Sequence, residues 1–382
     1  SDDWVRLDFA NVLRQLVASR IFNIVGDVVE FKYSYIYYFF VAKYLAEYFD
    51  EPEVQEFVGC ATKKLYVRSN ANILIFLTHF ANKSSVIDAI VATLNAQFEG
   101  LPVAQFALRN ESVEAMIRQL PGIVYSGGDP EKNREDEARR HDAVGQDVSD
   151  GMVESDADLD EISLSAKITT VFKTVEILGQ ILKTQYARIP RARRELIVKD
   201  VLNGPLRALE VFYSSLRDSP EVVVSEFQAK LAEEGGDQTD ESRRKVAQRV
   251  VASVLLGITW GFLRKASEAV GAEALSDDLR AVVSANDDIG QMLIRLASLL
   301  DSQKPLPRVD IEEIRRLSAG SLIVDRLIQV LVAYHLYMFR TSYADIRWAH
   351  DVLGIPERVK MRAMLSASSS TSTSAIAPPP AA

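Results

Sequence analysis

"FKYSYIYYFFVAKYLAEYF" occupies residues 31–49, and ten of the chain's aromatic residues (3 Trp, 13 Tyr and 16 Phe in all) fall inside it. From about Tyr35 onward, Tyr37, Phe40, Val41, Tyr44, Leu45, Tyr48 and Phe49 recur in steps of three and four, which places them on one face of an α-helix. Tyr38 and Phe39 widen that face, so the spacing predicts a helix covered on more than one side. Lys32, Lys43 and Glu47 exclude a membrane span, which needs about 20 residues with few or no charges. Pro52 marks a stop or a new start just beyond Asp50. Aromatic side chains at helical spacing fill protein cores more often than ligand sites. Tyr37, Phe40, Tyr44 and Tyr48 are therefore expected as buried structural anchors of an interface, with polar edges where the tyrosine hydroxyls find partners or water.

Working outward, the same period continues. Val5, Phe9, Val12, Leu13 and Leu16 predict a short helix, and "NIVGDVVEFKY" (23–33), with its Gly-Asp pair between β-branched residues, predicts a small hairpin or wing before the aromatic helix. Residues 70–98 read as two helices joined near Asn82–Ser85, with Ser84 or Ser85 as the cap, and "LRNESVEAMIRQL" extends the series to Pro121. A wide apolar stripe from Ile168 to Leu182 predicts a helix, and Pro190 ends it or begins the next. Further helices are expected at about 191–217, 221–233, 240–271, 275–301 and 309–341, with a short one at 347–355. The run 322–339 is apolar but carries Asp325, Arg326 and His335, which excludes it as a span.

The fold class that follows is all-α, a multi-helix bundle or irregular helical array with a small winged-helix-like element near the N-terminus. The expected division is 1–125, the winged-helix-like remnant plus the aromatic helical domain; 126–161, an acidic disordered linker; 162–365, a second helical domain; and 366–382, a disordered low-complexity tail. Residues 129–161 hold 13 acids against four bases, which accounts for the whole formal charge of −9 and leaves the remainder neutral. Such a segment cannot bury enough apolar surface to offset the entropy of ordering it. Bulk charge therefore argues neither for nor against nucleic acid, and a nucleic-acid partner is not expected, since the one arginine cluster lacks interleaved exposed aromatics. The lone Cys60 cannot form an internal disulfide, and a reducing, cytoplasmic location is expected. The chain opens Ser1-Asp2-Asp3-Trp4 without Met, as a piece cut from a longer polypeptide would.

Chemistry-bearing motifs are sparse. The phosphate-cradling pattern G-x-x-x-x-G-K-[ST] is missing, as is G-x-G-x-x-G. His79, His141, His335 and His350 do not pair with one another or with Cys60 at metal-ligand spacing; His79 and His335 read as core or helix-end residues and Cys60 as a small buried hydrophobe. Asp156, Asp158 and Asp160 alternate as in part of a calcium loop, but the Gly and terminal Glu of such a loop are not in place. Arg188, Arg191, Arg193 and Arg194 form a basic cluster that could contact phosphate or an acidic segment, although ordinary ion pairs on a solvated helix face account for it more simply. The expectation is a chain with no catalytic residue, no cofactor-binding residue and no metal site.

Phe31, Tyr33, Tyr35, Tyr38, Phe39, Ala42, Tyr44 and Leu45, with "NILIFLTHF" (72–80) and "VEILGQILK" (175–183), give the first 220 or so residues a resemblance to the bacterial STAND-type signalling ATPases, the broad group that includes NACHT NTPases. In those proteins a similar aromatic helix follows the ATPase core and a small winged helix. The resemblance implies a helical regulatory or sensor region that controls an upstream nucleotide switch by protein contacts, in bacterial signalling or antiphage defence. The implied partner is the chain's own upstream NTPase module or another protein, with homo-oligomerisation of the full-length protein. ATP and Mg²⁺ would belong to that module and to no residue of 1–382. A free-standing helical scaffold or adaptor without an ATPase is the alternative.

Overall fold

A Gly26–Asp27 corner turns the chain back on itself in a small hairpin near the N-terminus. The computed structural model describes residues 8–81, 84–106, 111–125, 128–139, 163–233, 239–302 and 304–356. Helix α1 (Phe9–Ala18), capped by the Asp8 carboxylate on the Ala10 amide, leads into the antiparallel strands β1 (Phe22–Val25) and β2 (Val28–Phe31). Val25 faces Val28, so the connection has two residues, and Gly26 at φ +63° supplies the left-handed first position that such a tight hairpin requires. This is the wing-like element expected at 23–33. It is the one sheet among the described residues, and everything else regular is helical.

The chain divides into two compact units. Unit 1 comprises residues 1–97 and 152–189, and unit 2 comprises 98–151 and 190–382. These units cut across the boundaries expected from composition. The helix at 164–184 joins the N-terminal helices, while residues 98–125 belong with the C-terminal ones. Composition reports where the chain is polar and says nothing about which apolar faces match, so it could not reveal this exchange.

In unit 1, α2 (Ser34–Glu47) is followed by α3 (Pro52–Lys63), with Pro52 in the first turn, where its missing N–H costs nothing. Next come α4 (Arg68–Phe80) and α5 (Ser84–Ala96). Helix α4 packs against α2, α3 and α8 (Leu164–Thr184), and α5 packs against α8 and α3. Helix α8 starts at the Ser163 cap, whose hydroxyl accepts from the Ala166 amide. Its buried Val171, Val175, Leu178, Ile181 and Leu182 meet a core that includes Leu74, Leu77, Ile90 and Leu94. Beyond its last turn, the buried Gln185 amide donates to the Thr78 carbonyl at 2.6 Å, which satisfies a backbone acceptor in the last turn of α4.

Unit 2 contains α6 (Glu111–Arg118), α7 (130–139), α9 (Arg191–Asp218), α10 (Pro220–Glu233), α11 (Asp240–Val270), α12 (Ser276–Ser284), α13 (Ile289–Leu300), α14 (Arg308–Leu317), α15 (Leu322–Met338) and α16 (Tyr343–Leu353). Helix α11 packs against α6, α9, α10, α13 and α15. It is the one described helix long and apolar enough to cross a membrane, by length and composition. Within unit 2 its buried Val251, Leu255, Phe262, Leu263, Ala266 and Val270 contribute to the core.

Three expectations are corrected here. The helix predicted at 275–301 is two helices, broken at Asp287 (φ +47°), after which the Asp288 carboxylate caps α13 by accepting from the Gln291 amide at 2.9 Å. The helix predicted at 309–341 is likewise two, broken where Ala319 and Gly320 take φ +50° and +78°. Part of the expected disordered linker is ordered: α7 docks on the C-terminal end of α15. The Asn133 amide donates to the Tyr337 carbonyl at 2.7 Å, and the Arg134 guanidinium donates to the Met338 carbonyl at 2.6 Å. Two of the helix-end acceptors that α15 leaves unmatched are thereby satisfied. The rest of the predicted linker beyond Arg139 and the predicted tail at 366–382 lie outside the described residues.

His335 sits in the core of unit 2. Its Nδ1 lies 2.7 Å from the Leu300 carbonyl and therefore carries the proton, while the buried Nε2 has no partner. Burial lowers the His335 pKa below its ordinary value, against opposing pulls from the Leu300 carbonyl and the Asp345 and Asp301 carboxylates. A histidine that resists protonation when folded stabilises the protein fully above its unfolded pKa of about 6.5, and the contribution is lost as pH falls below that value. Urea unfolding followed between about pH 7.5 and 5.5 should show stability falling with acid, and His335→Gln should flatten that part of the profile. Parallel profiles for the two proteins would contradict the assignment.

Candidate functional site

The hairpin and α2 together present a face of aromatic and branched side chains to solvent. Phe31, at the end of β2, makes the joint: its ring lies 4.9 Å from Phe22 across the hairpin, 5.8 Å from Tyr37 and 5.9 Å from Phe40. The Lys32 amide donates to the Ile21 carbonyl at 2.9 Å, closing the base of the hairpin just ahead of α2. From Phe40 the ring contacts continue to Phe39 at 5.4 Å and on to Phe80 of α4 at 5.1 Å. Tyr33 stacks on Tyr35 at 5.5 Å, and Tyr44 lies 4.7 Å from Tyr48 one turn on. Edge-to-face and tilted contacts of this kind hold rings in fixed relative positions without covering them.

The burial expected for this helix is corrected on the anchors themselves. Tyr37 is 43% exposed, Phe40 42%, Tyr44 55% and Tyr48 40%. The side of α2 that enters the core is the one bearing Ala42 and Leu45, continued by Phe49 just past its end, and α4 packs there. Ala42 is fully buried, and a methyl group at that position lets two helices approach closely. The larger rings on the other sides stay exposed among the described residues. On the hairpin, Ile24, Val25, Val28 and Val29 are exposed as well, although nothing in the sequence marked them. Cys60, expected in the core, is exposed.

In the arginine cluster, Arg191 makes the ordinary helix-face ion pair that the sequence favoured, and Arg194 makes a buried one that it did not. Arg194 is buried, with its guanidinium on the Asp278 carboxylate of α12 at 2.7 and 3.2 Å. Arg191 pairs with Glu195 at 2.8 Å, one helical turn on, and lies 3.8 Å from Asp278. The pair at Arg194 is a structural tie between α9 and α12. Arg188, which belongs to unit 1, is exposed.

Among the described residues no group of three or more His, Cys, Asp or Glu side chains converges as a metal site would require. The aromatic face carries no carboxylate pair, nucleophile or phosphate cradle. What it can do is bury area: Tyr and Phe are the residue types concentrated at the centres of protein interfaces, and contiguous apolar patches on a surface mark interaction sites. A family model described as Novel STAND NTPase 4 matches residues 1–41, a stretch that contains α1, the hairpin and the first half of α2. No curated protein and no solved structure matches the chain.

Two substitutions separate the exposed face from the buried ties. Tyr44→Ala should change unfolding free energy by no more than about 0.5 kcal/mol, as surface positions do, whereas Leu45→Ala, one residue on, should cost about 2–5 kcal/mol. Asp278→Asn, which leaves Arg194 buried with a neutral partner, should cost about 3–5 kcal/mol. All three are read by urea denaturation, and a large loss for Tyr44→Ala would contradict its exposure.

Proposed function

We propose that this chain is the helical regulatory region of a STAND-type, NACHT-like ATPase, and that the aromatic face of the hairpin and α2 is the seat of the NTPase module. The overlap of two independent observations carries the reading. The residues that match the STAND NTPase family model run to position 41. The exposed Ile24, Val25, Val28, Val29, Tyr33, Tyr35, Tyr37, Phe39 and Phe40 fall within them. A surface that matches an NTPase family and offers rings without chemistry fits a joint between modules.

On this reading the chain performs no chemistry. It holds or releases the switch through contact, in the cytoplasm, and nucleotide and Mg²⁺ are bound by the partner module. The bacterial signalling or antiphage setting rests on the family likeness. Rings held by one another in fixed positions lose little rotamer freedom on docking, so they suit a joint that opens and closes repeatedly.

The test begins with the reading frame and ends with turnover. A P-loop sequence is expected in frame before Ser1. In the protein made from that frame, Tyr37→Arg combined with Tyr44→Arg should raise basal ATP hydrolysis by about tenfold, equivalent to roughly 1.4 kcal/mol of lost restraint, while leaving the melting transition of the helical region unchanged. A frame that starts at Ser1 and encodes no P-loop would overturn the reading, as would a double variant whose ATP turnover equals that of the parent.

A further inference from the structure

Unit 2 contains a cavity of about 150 Å³ between α6, α9, α11 and the turn before α15. The volume matches that of apolar protein cavities known to admit a benzene-sized molecule. Its walls are largely apolar, with Phe106, Ile117, Leu216, Leu255 and Ile323 among them. What sets its chemistry is the state of the polar groups on the same wall.

The two hydroxyls facing the cavity have already spent their protons. Ser321 Oγ donates to the Phe106 carbonyl at 2.8 Å. Thr259 Oγ1 donates to the Leu255 carbonyl at 2.7 Å, so the Tyr213 hydroxyl, 3.1 Å from Thr259 Oγ1, must be the donor of that pair. Both lining oxygens, of Ser321 and Tyr213, therefore offer lone pairs only.

Both charged side chains on the wall are paired. Arg217 lines the cavity, but its guanidinium is paired with the carboxylate of Glu210, a buried side chain whose other oxygen has no partner. Glu114 also lines the cavity, and its carboxylate is held 3.1 Å from Arg118, which is mostly exposed. The arginine of this pair lies one helical turn on with its guanidinium largely in water, so it can swing away and yield the shielded carboxylate to a competitor. The wall thus presents the Glu114 carboxylate and two acceptor-only hydroxyl oxygens around an apolar pocket, with the Arg217 charge matched by Glu210 and the Gln105 amide donating to the Val103 carbonyl at 3.3 Å.

We propose that this cavity binds a small primary amine with a compact apolar body, its ammonium on the Glu114 carboxylate and its body against Phe106, Ile117, Leu216 and Ile323. The site lies in unit 2, and the inference is independent of the role assigned to the aromatic face of unit 1.

Calorimetric titration of the 382-residue chain with three probes of one shape tests this. Benzylamine should bind saturably at neutral pH, benzyl alcohol about tenfold more weakly, and benzoate not at all. Glu114→Gln should bring benzylamine down to the level of benzyl alcohol, with circular dichroism confirming that the variant is folded. Ile323→Trp, which fills the cavity, should abolish binding of all probes, and circular dichroism would confirm that this variant is folded. Overturning results are no saturable binding of benzylamine, equal binding of amine and alcohol, tighter binding of benzoate, or a Glu114→Gln variant that keeps the preference.

Discussion

Helix α2 carries apolar side chains around nearly its whole circumference, and α4 covers one side of it. That mismatch between apolar supply and available cover governs unit 1. The contact with α4 is made on the side of Ala42 and Leu45, where a small residue permits close approach, and Phe49 continues it below. Choosing that side leaves Tyr37, Phe40, Tyr44 and Tyr48 outward. The rings then settle against one another and against Phe31 of the hairpin, so the outward face is ordered without being covered. An ordered apolar surface of this size is costly in water, and a protein retains one where something else is to be laid on it.

Periodicity made the helices legible, because apolar side chains repeating every 3.6 residues line up only when the backbone is helical. The wing was legible too, from Gly-Asp set between β-branched residues. The direction in which α2 faces was not. A repeat identifies residues that share a face, but which face is covered depends on the shape of a partner helix more than twenty residues away. The break at Asp287 was hidden for a different reason: the residue takes the left-handed conformation with an ordinary Cβ and no Gly or Pro beside it, whereas Gly320 does mark the break after Ala319 but is masked by the apolar run that resumes directly beyond it. Arg194 read as part of a surface cluster because its partner, Asp278, lies 84 residues further along and leaves no local mark. The cavity in unit 2 is assembled from separate segments, and no window of sequence contains it.

The two units manage buried polarity differently. Unit 1 uses a neutral side-chain amide, Gln185, to satisfy the end of α4. Unit 2 buries charge, with Arg194 on Asp278 and Arg217 on Glu210 both anchored in α9. The Arg217–Glu210 pair lies within α9, whereas Arg194–Asp278 joins two helices and sets their registry, since a guanidinium shifted by one turn would leave its charge unmatched. Helix α9 is thereby held in position against α12 even though Pro205 removes a backbone donor from its middle.

The order in which the chain visits its two units has a consequence for how the protein is made. The chain leaves unit 1 after Gln97, returns at Met152, and departs again after Ile189. During translation, α4 and α5 therefore emerge long before α8, the helix that fills the space against them, has been synthesised. For that interval their oily sides stand bare beside the ribosome, and α6 and α7, which belong to the other unit, emerge before relief arrives. Cutting the gene at any single codon between these helices would strand one unit without its closing piece, so the smallest fragment that can fold as unit 1 must be stitched together from two separate lengths of message.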